Sequence, residues 1–425
     1  PAHWAYNAGN SDLYNFGQRP YKYKNAGSDR PSADFKPLAT SFLAQPATKR
    51  GDDFVGVSLF TGNGVSKTIS GLRYSPDLTI VKMRTADSAG RSPIWTDTVR
   101  GIGKSLLGDS SAVEASTTND LTAFTKDGFS VGSEARVNGS GKDLVGWSFD
   151  AGEATTTISA GSQTSAAYNT SRRWSNSITT TGNSGVWHSS YPATQAFNAN
   201  DQNYAHANGD GSAAAVVTLS FSPAITCNSS VSFIGGMTSS QSATISINGG
   251  SAFNLNRCGT NPFAGDVTTI PFSGSITSIV ISKTASDASG LLVYGFEIDG
   301  KRLVDDNITP PSTPSVEQKL RVNPDAGFAI LEASVDSTNT IRNLYTGLGG
   351  RPEFIISKNR EWADQWFTYH KDIQTDNKQY LRFDHTTGEQ SSSSYIWQHT
   401  PQVMGFNGAL WVPGGATDSI IFWAF

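Results

Sequence analysis

Charge is scarce in this sequence. Asp, Glu, Lys and Arg make up 16% of 425 residues, and the formal net charge is −4. No basic stripe is present, and nucleic-acid binding calls for one. Cysteine is scarcer still, with Cys227 and Cys258 alone. So few in so long a chain exclude a small disulfide-built secreted fold. The pair fits either one disulfide or two small buried apolar side chains. No apolar run reaches transmembrane length, and no signal peptide is visible. The six histidines, His3, His188, His206, His370, His385 and His399, show neither HExxH nor His-x-His spacing. They read as solvated or packed side chains rather than as a metal site. There is no G-x-S-x-G, and Gly101-Ile-Gly-Lys104 lacks both the spacing and the preceding strand of a phosphate loop. A glycosidase would need two carboxylates placed across a sugar, a pairing that sequence does not reveal, and no β-helix repeat is visible. These absences lead to the expectation of a chain that is not an enzyme and holds no catalytic cofactor.

What is present in quantity is turn-forming and aromatic. There are 42 glycines and 10 tryptophans, and aromatics reach 11%. Disordered chains lack such aromatics, whereas all-β modules with many turns combine these residue types. The length accommodates about two to four domains. The expected fold class is therefore all-β and multi-domain, made of sandwich or jelly-roll-like modules.

One short strand occurs twice at an offset of 276 residues. Pro76-Asp-Leu-Thr-Ile-Val-Lys-Met-Arg84 returns as Pro352-Glu-Phe-Ile-Ile-Ser-Lys-Asn-Arg360, and Trp147-Ser-Phe149 returns as Trp423-Ala-Phe425. Trp95, Lys104 and Leu106 are followed in the same order by Trp366, Lys378 and Leu381. A module of about 100 residues has been duplicated, which favours a modular binding protein over an enzyme with one cleft.

The chain divides as follows. Residues 1–50 read as the exit of an upstream domain plus an extended linker. Residues 51–152 form the first copy, in which Phe54-Val-Gly-Val-Ser-Leu-Phe60 alternates at period 2. Residues 153–183 are a Ser/Thr/Gly-rich link. Residues 184–305 contain short alternating strands such as Ala215–Phe221, Ala243–Ile247 and Leu292–Ile298, the spacing of a β-sandwich. Residues 306–321 form a proline-bearing, stiff linker, and residues 322–425 form the second copy. The chain begins at Pro1 and ends at Phe425 within a strand-like run, so a longer polypeptide is expected.

At this level the sequence resembles a known group. Thr61-Gly-Asn-Gly64, Asp97-Thr-Val-Arg-Gly-Ile-Gly-Lys104, Asp127-Gly-Phe-Ser-Val-Gly132 and Val137-Asn-Gly-Ser-Gly141 resemble a module found in tandem in tail and fibre proteins of marine phages, cyanophages especially. Asn15-Phe-Gly-Gln-Arg-Pro-Tyr21 resembles the exit of the lectin-like domain that precedes it there. Tyr191-Pro-Ala-Thr-Gln-Ala-Phe197, Ser246-Ile-Asn-Gly-Gly250 and Ile298-Asp-Gly-Lys-Arg-Leu-Val-Asp305 resemble a galactose-binding-like sandwich. The second copy lacks a counterpart of Gly101-Ile-Gly103. The resemblance implies a virion appendage on the tail or capsid surface. Its implied partners are other virion proteins and a host surface glycan or receptor, with no nucleic acid and no membrane insertion. It also implies a homo-oligomer, a trimer. The alternatives are a purely structural virion component and, third, a polysaccharide-degrading tail enzyme.

The candidate ligand-binding residues are Trp187, Tyr191, Asn198, Asn200, Asp201 and Tyr204, with His188 and His206 alongside. Sugar recognition combines aromatic faces with amide and carboxylate groups, and here both flank one loop. Asn198, Asn200 and Asp201 are also the expected ligands of a structural Ca²⁺, which the likeness to galactose-binding domains implies and which hard oxygen donors suit. Trp362, Trp366, Tyr369 and His370 form a second aromatic group. Trp147 and Trp423, in alternating strands, are expected in the core.

Overall fold

The computed structural model describes residues 50–425 apart from 88–90, 165–166, 169–170, 182–185, 200–202, 208–215, 238–241, 256–266, 284–289, 311, 339, 374–378, 393–397 and 401. The protein is all-β, with several sheets stacked as sandwiches.

The first repeat has nine strands: β1 (Val55–Thr61), β2 (Lys67–Ser70), β3 (Leu78–Met83), β4 (Ile94–Asp97), β5 (Lys104–Leu107), β6 (Ala115–Ser116), β7 (Leu121–Thr125), β8 (Gly128–Val131) and β9 (Asp143–Phe149). Six form a sheet in the order β1-β9-β3-β4-β5-β6, and three form a smaller sheet, β2-β8-β7. Alternating side chains send Val81, Met83, Ile94 and Leu144 from the large sheet against Ile69, Leu121, Phe129 and Val131 from the small one. A single helical turn, α1 (Ala135–Asn138), leads into β9.

The connection and insert follow: β10 (Thr156–Ile158), β11 (Gln163–Thr164), β12 (Ala167–Tyr168), β13 (Ile178–Thr181), β14 (Ala205–Ala207), β15 (Val216–Cys227), β16 (Ser230–Met237), β17 (Ala243–Ile247), β18 (Phe253–Asn254), β19 (Val267–Pro271), β20 (Gly274–Lys283), β21 (Leu291–Ile298), β22 (Lys301–Leu303) and β23 (Ser312–Thr313). The insert is a sandwich of β12-β22-β21-β16-β19, with β14 also on β21, over β13-β15-β20-β17-β18. Trp174, Phe197, Phe221, Phe233 and Phe296 fill the space between them. Cys227 lies buried in this core; Cys258 falls outside the described residues.

Two boundaries need correction. Residues 153–183 are not a plain linker: β12, the 3₁₀ turn Trp174–Asn176 and β13 all belong to the insert. Asp305 holds that turn by accepting from Ser175 N at 3.0 Å and Ser175 Oγ at 2.6 Å. Residues 306–321 are not simply extended either. β23 pairs antiparallel with β11, and the next strand, β24 (Gln318–Asn323), pairs with β10. The incoming and outgoing chains thus zip together. Composition misled here because the threonines that mark a loop in one setting are β-branched residues suited to an edge strand in another.

The second repeat continues from β24 with β25 (Phe328–Asp336), β26 (Ile341–Tyr345), β27 (Phe354–Asn359), β28 (Phe367–His370), β29 (Gln379–Arg382), β30 (Gln390–Ser391), β31 (Gln398–Thr400), β32 (Val403–Asn407) and β33 (Thr417–Ala424). Its large sheet runs β10-β24-β25-β33-β27-β28-β29-β30, and its small sheet β26-β32-β31. From β25 onward the strand order repeats that of β1 to β9, with β24 and β10 added at the edge of β25. Register agrees as well: Trp147 faces Val57 and Ile80, and Trp423 faces Ile330 and Ile356. Trp95 is opposite Ile80, whereas Thr368 is opposite Ile356. The counterpart of Trp95 is therefore Thr368, not Trp366. Leu106 and Leu381 do correspond, each facing one of that pair. Lys104 corresponds to Gln379, since residue order alone cannot fix register; Lys378 is outside the described residues.

The repeats pack directly on one another. Leu78, Trp95, Val99 and Leu106 of the first meet Phe328, Ile330, Ile356, Trp366, Ile421 and Trp423 of the second. Trp95 lies 5.0 Å from Trp366 and 5.1 Å from Trp423, ring centre to ring centre. Trp366 Nε1 donates to the carbonyls of Leu107 at 3.0 Å and Ser110 at 3.1 Å. Trp423 is fully buried as expected, but Trp147 is 37% exposed, because among the described residues no neighbouring sheet covers β9 at that point.

Gly152 sits where the first repeat crosses β24. Its φ is +95°, and a Cβ there would stand 2.4 Å from the carbonyl oxygen of Val322. Both facts demand glycine. Gly152→Ala is expected to destabilise the protein by about 1–3 kcal/mol, checked by urea denaturation followed by circular dichroism.

Candidate functional site

The strongest candidate is an aromatic rim on the insert. The 3₁₀ turn Ala193–Phe197 buries Ala196 and Phe197, which anchors the segment carrying His188 and Tyr191 to the sandwich. On the other side, β14 pairs with β21 through Ala205↔Val293 and His206↔Leu292. The backbones of the two segments are tied by His188 N donating to His206 O at 2.9 Å and His206 N to Tyr191 O at 2.9 Å.

Four rings converge there. Tyr191 stacks on Tyr204 at 4.7 Å and 15°. His188 stacks with His206 at 5.6 Å and 12°, and lies 5.0 Å from Tyr191. All four are half-buried. Beneath them Tyr204 rests against Tyr294 at 5.3 Å, on a small apolar floor of Ile234, Leu292 and Tyr294. Burial, with the neighbouring His188 second, holds the His206 imidazole below the usual histidine range. Burial, followed by its hydrogen bond with Tyr191, raises the Tyr204 hydroxyl. His206 and Tyr204 therefore present an uncharged imidazole and hydroxyl at neutral pH, a surface suited to an uncharged polyhydroxylated ligand.

The other expected residues are distributed differently. Trp187 packs against the insert core and bridges to Ala207, apart from the stack. Asn198 follows the 3₁₀ turn as its C-terminal cap. Asn200 and Asp201 lie outside the described residues, so the calcium set is not described as a whole. Among the described residues no group of three His, Cys, Asp or Glu side chains could hold a metal. Tyr294 was missed from sequence because it lies far along the chain on β21. Its only signal there is alternation with Leu292.

The second aromatic group is corrected. Trp366 and Tyr369 are buried in the repeat cores, while Trp362 is 39% exposed and the His370 side chain is partly exposed. The glycine-bearing motifs of the first repeat serve structure. Asn138 accepts from Asn63 N at 3.0 Å and donates to Gly132 O at 2.7 Å, locking the turns at Thr61–Gly64 and Val137–Gly141 together. Asp97 accepts from Val99 N, Arg100 N and Arg100 Nε at 3.1, 2.9 and 2.7 Å.

A cleft of about 630 Å³ between the repeats was not legible in sequence. Tyr74, Asp150, Glu153, Arg321 and Asn323 are among its lining residues. Arg321 pairs with Asp77 at 2.6 Å, and Asn323 donates to Asp150 at 2.8 Å. Burial pushes the Asp77 carboxyl up to about 6 against the opposing charge of Arg321. Arg321 and Asn323 of the second repeat thus hold Asp77 and Asp150 of the first across the junction, which makes the cleft part of the joint.

No curated protein matches the sequence. Two solved structures are similar over long stretches at low identity. One is the pair of CBM32 domains from ZmpB of Clostridium perfringens, with 9% identity, 58% of this chain and 93% of that chain covered, and a TM-score of 0.21. The other has the triple jelly roll fold of a turret assembly in an archaeal virus, with 10% identity, 84% and 80% covered, and a TM-score of 0.14. Residues 50–256 and 310–416 match one family over most of the chain, and the protein belongs to that family, a domain of unknown function designated DUF7483.

Proposed function

We propose that the chain is a non-catalytic binding component of a virion appendage that holds host-surface carbohydrate against the aromatic rim of its insert. The observation that carries this reading is the ring cluster Tyr191, Tyr204, His188 and His206, half-buried on a rigid sandwich. Aromatic faces suit the C–H face of a pyranose, while the hydroxyl and imidazole edges supply hydrogen bonds. Rims and loops held by a scaffold are where binding residues collect. The virion setting is supported by the phage-like motifs of the first repeat. A single-site affinity of roughly millimolar, about −4 kcal/mol, suffices where several copies engage one surface.

A glycan array on the full chain, followed by titration calorimetry with the best binder, tests this. Tyr191→Ala and Tyr204→Ala are each expected to lower affinity at least about tenfold, the loss of about 1.4 kcal/mol, with the fold intact by circular dichroism. Undiminished binding in both variants, or an array without any binder, sinks the assignment. The second reading, a structural virion component, is favoured by one different observation, the uncovered apolar face of the first repeat.

A further inference from the structure

That face is the outer side of the β1–β9 hairpin. Val55, Val57 and Leu59 alternate outward along β1 and are 46%, 59% and 65% exposed. Gly56, Ser58 and Phe60 point the other way. A strand with one face in water ordinarily places its polar residues there; β1 does the reverse. Trp147, opposite Val57, completes the strip. The same register positions in the second repeat are Phe328, Ile330 and Trp423, all buried under the first repeat. Only Leu59 changes character, to Glu332. Among the described residues the strip thus keeps the apolar residues of a covered sheet face without the cover. Its edge is open too: among the described residues β1 pairs with β9 alone, whereas β25 is flanked by β24.

We infer that a second copy of this chain docks on the strip Val55, Val57, Leu59 and Trp147, each copy contributing the same face. Two observations select this occupant. First, the strip continues an interface the chain already makes. Phe149, opposite Val55, and Ile80, opposite Trp147, pack into the core between the repeats. Second, what covers the equivalent face of the second repeat is the sheet face of a module with the same strand order. The sheet-on-sheet geometry that buries such a face, with sheets about 10 Å apart, is therefore one these modules adopt. A strip of Val, Val, Leu and Trp without a charge is complementary to itself, as a two-fold contact requires. Single exposed apolar residues need no explanation, but a contiguous patch does.

The test is the mass of the full chain by light scattering across a concentration series. The wild type is expected to exceed the 45.2 kDa of one chain by at least twofold. Val57→Glu together with Leu59→Glu is expected to return it to one chain with unchanged circular dichroism, both sites being exposed. Val113→Lys, at an exposed apolar residue outside the strip, is expected to keep the wild-type mass. Hydrogen exchange should show β1 amides protected more at high concentration than at low. A wild type of one-chain mass overturns the inference, whether β1 is open or is protected by another part of the chain. So does an assembly whose mass the double variant leaves unchanged. Glycan binding by the double variant at single-site affinity is an independent readout, so failure here and failure of the carbohydrate reading are distinguishable.

Discussion

Truncation of Trp423 to Ala is expected to cost about 3–5 kcal/mol, while the same truncation of Trp147 costs about 1 kcal/mol or less. The two tryptophans hold the same place in their repeats, each facing the two neighbouring strands at matched register. Only their surroundings differ. Trp423 touches Trp95 and Trp366 at 5.1 and 5.5 Å and lies under the Arg100 guanidinium at 5.5 Å. Removing it opens a cavity in the shared core that rigid neighbouring sheets cannot close. Removing Trp147 from a single chain, at concentrations too low for a second copy to dock on it, gives up a partly solvated ring. Denaturant unfolding of both variants beside the wild type reads the difference. Equal losses at the two positions would mean that the repeats do not pack as described.

Glu114→Gln is expected to cost a further large amount, about 3–5 kcal/mol at neutral pH. Glu114 receives Arg360 Nε at 2.9 Å and Arg360 Nη2 at 2.7 Å, and Arg100 Nη1 at 3.3 Å. The side chains of Glu114, Arg100 and Arg360 are all at most 15% exposed. Neutralising the carboxylate leaves Arg100 with Asp97, and Arg360 with Glu332 at 2.9 Å, on a site built for one more negative charge. Burial alone would raise the Glu114 carboxyl, but the hydrogen bonds and charges of Arg360 and Arg100 prevail and hold it below the ordinary range. A depressed folded value means that the stabilisation is complete above the unfolded carboxylate pKa, about 4.3. It is lost as pH falls through the lower folded value. The gap between wild type and Glu114→Gln should therefore close in acid. A gap that stays constant from pH 7 down to about pH 2, well below the unfolded value, would count against this account of the bridge.

The all-β class was legible because period-2 alternation survives in single strands: Phe54–Phe60, Ala243–Ile247 and Leu292–Ile298 carry it plainly. Pro76/Pro352, Lys82/Lys358 and Trp147/Trp423 announced the repeat because strand register permits no slip between them. Trp95 and Trp366 show the limit of that reasoning. They follow one another in matching order along the two copies, yet they are contact partners across the interface. Sequence order records which residues a module has, not which face another module will cover. The same ignorance placed Trp147 in the core. At the rim, Tyr191 and Tyr204 were legible as aromatics beside one loop, but their stacking and the floor supplied by Tyr294 depend on the pairing of β14 with β21. Glu114 and Arg360 carry no local signal at all, since their meeting is a property of two modules and not of either segment.

The antiparallel pairing of β10 with β24 and of β11 with β23 means that the insert leaves the repeats and returns to them at nearly the same point. Such a cassette makes few demands on its host. Its ends are held a strand apart by Gln163↔Thr313 and Thr164↔Ser312, so loop closure costs the same whatever lies beyond them, apart from a slow logarithm of length. A foreign domain with adjacent termini could be grafted above that ribbon while Trp95, Trp366 and Trp423 went on joining the repeats beneath it. The architecture separates what is exchanged from what is kept. Whatever the insert contributes can be replaced by recombination at two neighbouring points, and the paired repeats that carry it need not change.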